Sequence, residues 1–476
     1  MTAHPRPLIA LALAAGLVPA IVAAPAMLLA APGGLDPTFG GGTGRIRIGN
    51  GPAFEACESM VVQSNGRSVS VGSSQAGTEP AIALIRRMTD GTPDPGFGTG
   101  GMALTRIPGR TIFGHAVALQ PDGRIVVAGD FLDGDNFDFL VCRYTTAGVL
   151  DPTFGIGGIV VTSLGGDDRA DGIAVQPDGR IVVVGGSVAG SNSTFAAVRY
   201  LANGTLDPQF GNQGVVLADI DNSLDDANAV AVLDDGSLIL AGSTFNPITA
   251  VNRMALLKLT ATGALDTSFS IDGIQSTTFG GPNDIGRAVV IQQGTPDKIV
   301  VAATSGALGG TSTRFAVARY SLEGKLDYSF DGNGRLTVQP LGFDGGATAV
   351  AIQYDPNGTP RILVTGPCAS GQLTILRRLD NGDPDNTFDG DGVYLAPPTP
   401  GGETGSAVQV FGSRIVAAGT RRRASSSHGE FEELRLLLSG SPDPGFNGEG
   451  IRTDAVGCSD LGVVAVAVQP DGRIVA

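Results

Sequence analysis

The sequence predicts an all-β chain folded as a β-propeller of four-stranded antiparallel blades, and three observations carry that expectation. The first is repetition. The stretch LDPTFGIGG at 150–158 returns as LDPTFGGGT from 35, PDPGFGTGG from 93, LDPQFGNQG from 206 and PDPGFNGEG from 442. Anchored on its phenylalanine, the motif falls at Phe39, Phe97, Phe154, Phe210, Phe269, Phe330, Phe388 and Phe446, in steps of 58, 57, 56, 59, 61, 58 and 58 residues. A near-constant period of this length marks a closed array of β units rather than a string of independent domains. The second is composition: 72 glycines and 29 prolines weaken helices throughout, while Val, Ile and Ala fill the runs between them. Third, beyond the first 32 residues no window spaces its apolar positions at i, i+3 and i+4, so no long helix is expected.

Residues 1–32 hold one formal charge, Arg6, then an apolar Ala/Leu/Val stretch from Leu8 and small-residue sites such as Ala24-Pro25-Ala26. This reads as a secretory signal peptide ahead of one propeller domain at 33–476, and it implies a secreted or cell-envelope protein. The rival reading is an uncleaved leader serving as a membrane anchor, since about 20 apolar residues span a bilayer. Pro19 and Pro25 count against it, and no Cys stands near the leader's end to carry a lipid. The formal net charge of −15 repels phosphate backbones and excludes nucleic acid as a partner. Cys57, Cys142, Cys368 and Cys458 show no CxxC spacing, so zinc and thioredoxin-type readings have no support.

Each unit reads in the same order. After the Phe-Gly turn comes a short apolar strand, GIVVTSL from Gly158, then an alternating strand, GIAVQ from Gly172. The turn Pro177-Asp178-Gly179 joins this to RIVVVGGS from Arg180, because proline presets φ and glycine supplies the positive φ that ends such a hairpin turn. A variable loop follows, and FAAVRY at 195–200 closes the unit. Seven complete units lie between Phe39 and Phe446. Strands from both termini, one after Phe39 and two in VVAVAVQ (463–469) and RIVA (473–476), make an incomplete eighth blade that would close the ring and hide its sheet edges. Ala476 falls inside a run that elsewhere reads RIVVAG, so the sequence reads as truncated.

QPDGRIVVAG at 120–129, QPDGRIVVVGG at 176–186 and the recurring LDPxFG resemble the delta-60 repeat, a bacterial β-propeller repeat family of unestablished function. The likeness spans nearly all of 33–476. It implies the propeller fold and export, and it carries over no catalytic residue, because that family is defined by its framework.

Two charged positions recur with the period. An acid stands three residues before each phenylalanine: Asp36, Asp94, Asp151, Asp207, Asp266, Asp327, Asp385 and Asp443. A base stands ten or eleven before the last seven: Arg87, Arg143, Arg199, Lys258, Arg319, Arg378 and Arg435. The aspartate is expected to cap its own turn and to pair with the base, and the phenylalanine to plug each blade into the core, rather than to form a ring of binding groups.

Function is expected where the symmetry fails. Asp385, Asp389 and Asp391 near FDGDG, and Asp133, Asp135 and Asp138 in DGDNFD, offer oxygens to Ca²⁺, the one cofactor the sequence raises. Neither matches an EF-hand loop, and solvated turns are the competing reading. Outside the leader the histidines are His115 and His428, with His115 aligned to Gly172 or Asn228 of sister units. No G-x-S-x-G occurs and no carboxylate pair stands out, so no catalytic residue is assigned. Tryptophan is absent, leaving Tyr and Phe as stacking platforms for sugar rings. The loop TRRRASSSHGEFEE at 420–433 sets Arg421, Arg422 and Arg423 against an acidic background, either as a solvated loop or as a contact for an anionic partner. Cys57 and Cys458 begin equivalent strands of neighbouring units and form a candidate disulfide if the protein is exported. Cys142 stands where Val198 and Ala318 stand, as a small buried side chain.

These observations give an exported, non-enzymatic propeller scaffold that binds a protein or surface polysaccharide through variable blade loops. The alternatives are a propeller hydrolase or lyase working in the central channel and a Ca²⁺-stabilised adhesin. Unrepeated His, Glu, Tyr or Arg converging at one end of the channel would favour the enzyme; a lining of small apolar residues would favour the scaffold. The oligomeric state is not legible.

Overall fold

Runs of Val, Ile, Leu and Ala bounded by glycine-containing turns form antiparallel strands, mostly of nine residues. The protein is described by a computed structural model over residues 55–63, 65, 67–74, 80–87, 94–220, 224–307, 312–342, 344–368, 371–398, 403–411, 414–422, 429–442, 451–454, 467–468 and 474–475. Among these the one helical piece is a 3-10 turn at Pro340–Gly342, and no helix is long and apolar enough to cross a membrane.

The third sheet shows the pattern. Its inner strand Asp167–Val175 pairs with Ile181–Ala189, that strand with Asn192–Tyr200, and that with the short outer strand Val215–Ala218, all antiparallel. Four sheets of this kind stand separately, and three more share a 12-stranded sheet. Within the latter, single parallel bridges at Ser193–Leu224 and Asn252–Asn283 are the links between units. The inner strands of the seven sheets are Glu55–Val62, Thr111–Leu119, Asp167–Val175, Leu224–Val232, Asn283–Gln292, Ala349–Tyr354 and Glu403–Phe411. Each contacts the next, and the two-residue strand Ala467–Val468 touches both the first and the seventh, so the inner strands surround a central channel.

The structure corrects the order read from the sequence. The short apolar strand after each phenylalanine does not open a unit. Ile159–Thr162 folds back on Asn136–Tyr144 as the outer strand of the second sheet, because the Phe turn reverses the chain within one sheet. The link Ser163-Leu164-Gly165-Gly166 then steps to the next inner strand. The core lies between sheets: Val126, Phe139 and Phe154 of the second share a cluster with Ile181, Val183 and Tyr200 of the third. The leader, Asp36, Phe39, Asp443, Phe446, Arg423, His428 and Cys458 lie outside the described residues.

Candidate functional site

Two polar systems are built on this frame, one repeated and one not. The repeated system is a clasp between sheets. Its ion pairs are Arg86–Asp94 (2.7 Å), Arg143–Asp151 (2.9 Å), Arg199–Asp207 (2.9 Å), Lys258–Asp266 (3.0 Å), Arg319–Asp327 (2.9 Å) and Arg377–Asp385 (2.8 Å). The second oxygen of each aspartate caps its own turn, as Asp151 Oδ1 does for the Thr153 N–H at 3.0 Å. The guanidinium lies over the motif phenylalanine, 4.3 Å from the ring centre for Arg199 on Phe210. It then crosses to the next sheet, where Arg199 Nη1 donates to the Ala261 carbonyl. A backbone bond from the Gly211 N–H to the Thr262 carbonyl (2.8 Å) reinforces the crossing.

In the two sheets with paired arginines the sequence-based partner is off by one: Arg86 and Arg377 make the clasp, not Arg87 and Arg378. Successive strand side chains face opposite sides, so only the base eight residues before the aspartate faces it. Arg378 instead takes the place of Tyr200 and Tyr320. It is buried, and burial lowers its pKa against the opposing pull of Asp331, Asp391 and Asp383. The side chains of Arg87 and Arg435 lie outside the described residues. Burial alone would raise the carboxyls of Asp94, Asp151, Asp327 and Asp385, but hydrogen bonds from their own turns and the adjacent cations outweigh it and hold them below the usual range. Their oxygens are thus committed within the protein.

The other sequence candidates are dispersed. Asp385 belongs to the clasp, Asp391 caps the Val393 N–H at 2.9 Å, and Asp133 pairs with Arg110. Asp389 stands at φ +49° and feels the charge of Asp391, Asp135 is exposed and Asp138 is buried. Among the described residues no group of three or more His, Cys, Asp or Glu side chains is placed to hold a metal ion. Cys142 is buried, and burial pushes its thiol up to about 12. Cys57 lies on the first inner strand, with its side chain and that of Cys458 outside the described residues; the side chains of Arg421 and Arg422 are outside them too. A cavity of about 570 Å³ opens at the hairpin end between the first two sheets, lined by Gln63, Arg67, Arg86, Gln120 and Thr146, and Arg86 there belongs to the clasp.

The unrepeated system lies in the channel. Each of six inner strands carries a β-bulge, where the pairing skips one residue: Glu58, His115, Asp171, Asn228, Arg287 and Ser406. A bulge frees its extra residue from the ladder and re-aims it. The counterpart of His115 is therefore Asp171, and the alignment to Gly172 is corrected by one position. Asp171, Asp226 and Arg287 are exposed although Ala170, Ala227 and Gly286 beside them are buried, as expected of side chains in an open channel.

Asp130, at the position of Gly186 and Ser243 in the following sheets, organises one side. Its buried carboxylate accepts the Ala170 N–H (3.0 Å), lies 3.1 Å from His115 Nε2 and takes Arg169 Nη1 at 3.4 Å. The Arg169 guanidinium covers the Phe137 ring at 3.8 Å, Phe137 meets Phe113 at 6.1 Å, and Phe113 stacks with His115 at 6.4 Å. On the other side Asn228 Nδ2 donates to the Gly286 carbonyl at 3.0 Å. Asp226 lies against Gly186, where an added Cβ would come within 2.8 Å of its Oδ1. Asp171 stands between the two groups. Enclosure by protein, then the charges of Asp226 and Asp130, lift its carboxyl to about 7, with His115 and Arg169 pulling the other way. Enclosure also raises Asp226, opposed by Arg287, and lowers the pKa of Arg287, opposed by Asp226. Neither the Asp171 nor the Arg287 side chain makes a hydrogen bond or ion pair to a described residue, so both side chains remain available to a ligand.

Sequence reasoning singled out His115 of this cluster and passed over Asp130, Asp171, Asp226 and Arg287. The available signal was their failure to repeat: five residues before Gln120, Gln176 and Gln292 stand His115, Asp171 and Arg287.

The fold and its sites define a β-propeller repeat protein. Residues 63–97, 120–154, 176–210, 233–269 and 295–330 match the family described as domain of unknown function (DUF5122) beta-propeller. The matched segments end on the clasp phenylalanines and omit the bulge residues His115, Asp171, Asn228 and Arg287. No curated protein matches the chain. Among solved structures it is similar to a protein of unknown function from Dyadobacter fermentans, at 10% identity and TM-score 0.37, over 67% of this chain and 96% of that one. It is similar to the α-L-arabinofuranosidase Arb93A of Fusarium graminearum (10% identity, TM-score 0.38, 68% and 92% covered). It is also similar to Sqt1 of Chaetomium thermophilum bound to the N-terminus of ribosomal protein L10 (10% identity, TM-score 0.44, 76% and 94% covered).

Proposed function

We propose that this protein is an exported propeller of the delta-60 kind, with an eighth blade completed by its termini, that binds a hydroxyl-rich surface polysaccharide at its central channel. The observation that carries the reading is the pair of unpartnered side chains, Asp171 and Arg287, set among unrepeated polar groups. Carboxylate, guanidinium, amide and imidazole groups match the paired hydroxyls of a sugar, because each presents coplanar donors or acceptors. Phe113 and Phe137 add half-buried aromatic faces beside them, the apolar component such sites require. The clasp supports this role by tying each sheet to the next, as Arg199 does to the Ala261 carbonyl.

Affinity electrophoresis through gels containing bacterial surface polysaccharides tests the proposal. The expected result is retardation of the wild-type protein by at least one polymer, with Arg287→Ala and Phe113→Ala each weakening it about tenfold or more. Migration unaffected by every polymer, or variants retarded like the wild type, would refute it.

The same cluster supports a second reading, catalysis. Asp171 has a carboxyl near neutrality and stands beside a second carboxylate in a solvent-reached channel.

A further inference from the structure

Resting on the polysaccharide reading, we propose that the channel site hydrolyses glycosidic bonds, with Asp171 as proton donor to the leaving oxygen and Asp226 as base for the attacking water. Both residues lie on neighbouring inner strands, Asp171 at the bulge of the third and Asp226 two positions before the bulge residue Asn228 of the fourth. Both are exposed to the channel. Enclosure by protein raises both carboxyls, but the charges around them differ in sign. Asp171 is faced by Asp130 and His115 from the second sheet, by Asp226 from the fourth and by Arg169 of its own strand. Enclosure, and then the charges of Asp226 and Asp130, favour its protonated form against the opposing pull of His115 and Arg169. Enclosure raises the Asp226 carboxyl as well, but the charge it faces is the guanidinium of Arg287 from the fifth sheet, which pulls it back toward the ionised form.

Gly186 bears on the assignment. Asp226 Oδ1 lies within 2.8 Å of where a Cβ on that residue would stand, so a side chain there would displace the carboxylate. The preceding sheet has Asp130 at this position. The absence of a side chain at Gly186 thus leaves room for the Asp226 carboxylate against the third sheet, where its charge acts on Asp171.

In the proposed step the Asp171 proton passes to the glycosidic oxygen as the bond from that oxygen to the anomeric carbon breaks, and the leaving sugar departs as an alcohol. Water oxygen bonds to the anomeric carbon and gives one proton to the Asp226 carboxylate. Exchange with channel water returns a proton to Asp171 and removes one from Asp226, so no other reactant is consumed.

The test compares wild type, Asp171→Asn and Asp226→Asn on the retarding polysaccharide, scoring new reducing ends, and on p-nitrophenyl glycosides of its constituent sugars. Far-ultraviolet circular dichroism checks folding. The wild type should cleave both, and each variant should lose roughly 10²–10⁴-fold on the polysaccharide while still being retarded by it. The signature of a proton donor is that Asp171→Asn loses far less on the nitrophenyl substrate, whose leaving group departs unprotonated. The wild-type rate should also fall as pH rises through the Asp171 carboxyl, about 7, and that limb should vanish in Asp171→Asn. A wild type that is retarded but releases no reducing ends overturns the catalytic inference and leaves the binding reading standing. No retardation by any polymer overturns both. Full activity in either folded variant overturns the assignment of its residue.

Discussion

Arg199 donates from Nε to Asp207 Oδ2 at 2.9 Å, with the two side chains only 1% and 3% exposed. Removing one member of a buried pair leaves the other charge uncompensated, which costs about 3–5 kcal/mol. Arg199→Ala also withdraws the contact with Phe210 and the bond to the Ala261 carbonyl. We therefore expect Arg199→Ala to lower stability by that amount in urea denaturation. Arg180 lies 3.7 Å from the same carboxylate but is 35% exposed, so Arg180→Ala should cost about 0–1 kcal/mol. Equal losses in the two variants would remove the distinction drawn between buried clasp and surface pair.

The fourth sheet uses lysine where five others use arginine. Lys258 Nζ reaches Asp266 (3.0 Å) and the Leu322 carbonyl (3.2 Å), and a single ammonium has no planar face to lay on Phe269. In the fifth sheet Arg319 also donates Nη2 to Ser329 Oγ at 3.1 Å and covers Phe330 at 5.1 Å. Ser268 holds the equivalent position beside Asp266. Lys258→Arg should then gain about 0.5–2 kcal/mol from the added hydrogen bond and cation–π contact, read as a higher urea midpoint. A neutral or lower midpoint would show that the fourth sheet is shaped around the shorter cation.

The framework was legible because every sheet must solve the same problem. An aspartate and a phenylalanine recur at near-constant spacing because each unit needs the same turn and the same plug, and Pro-Asp-Gly stands at three of the hairpin turns, 121–123, 177–179 and 470–472. Strand grouping was not: spacing orders Ile159–Thr162 in the chain, but only hydrogen bonding assigns it to Asn136–Tyr144. A third recurrent acid also escaped, Asp168, Asp225 and Asp284, whose buried carboxylates accept the Leu164, Ile220 and Phe279 N–H groups of the links between sheets. Its motif is short, and its neighbours Asp167 and Asp226 blur it. The channel cluster was hidden for a different reason. Bulges shift the face on which a residue appears by one position, and convergence of Asp130, Asp171, Asp226 and Arg287 exists only once the sheets surround an axis.

Gly204 marks the close approach between consecutive sheets. Its φ is +89°, and an added Cβ would lie 2.8 Å from the Phe154 ring. Gly204→Ala combines left-handed strain with overpacking, for an expected loss of about 2–4 kcal/mol. Gly190 has a φ of +66° with nothing within 4 Å of its virtual Cβ, so Gly190→Ala carries the strain alone, about 1–2 kcal/mol. Comparing the two midpoints isolates the contact with Phe154, and indistinguishable variants would mean that the sheets yield there.

Clasp and channel carboxyls should oppose one another in the pH dependence of stability. Asp94, Asp151, Asp327 and Asp385 are held below the ordinary aspartate value of 3.8, so their contribution is present above that pH and is lost as pH falls through the lowered native values. Asp171 is raised from 3.8 to about 7, so folding favours its protonated form. Its contribution is complete below pH 3.8, declines as pH rises and is gone once the native carboxyl ionises above about 7. Asp171→Asn removes the second dependence and leaves the first. Urea midpoints measured from pH 3 to pH 8.5 should therefore show the variant gaining on the wild type as pH rises, with most of the gain made by pH 7, while both lose stability together below pH 4. A wild-type-minus-variant difference that stays flat across this range would mean that Asp171 titrates as an ordinary surface carboxylate, outside the field of Asp130 and Asp226.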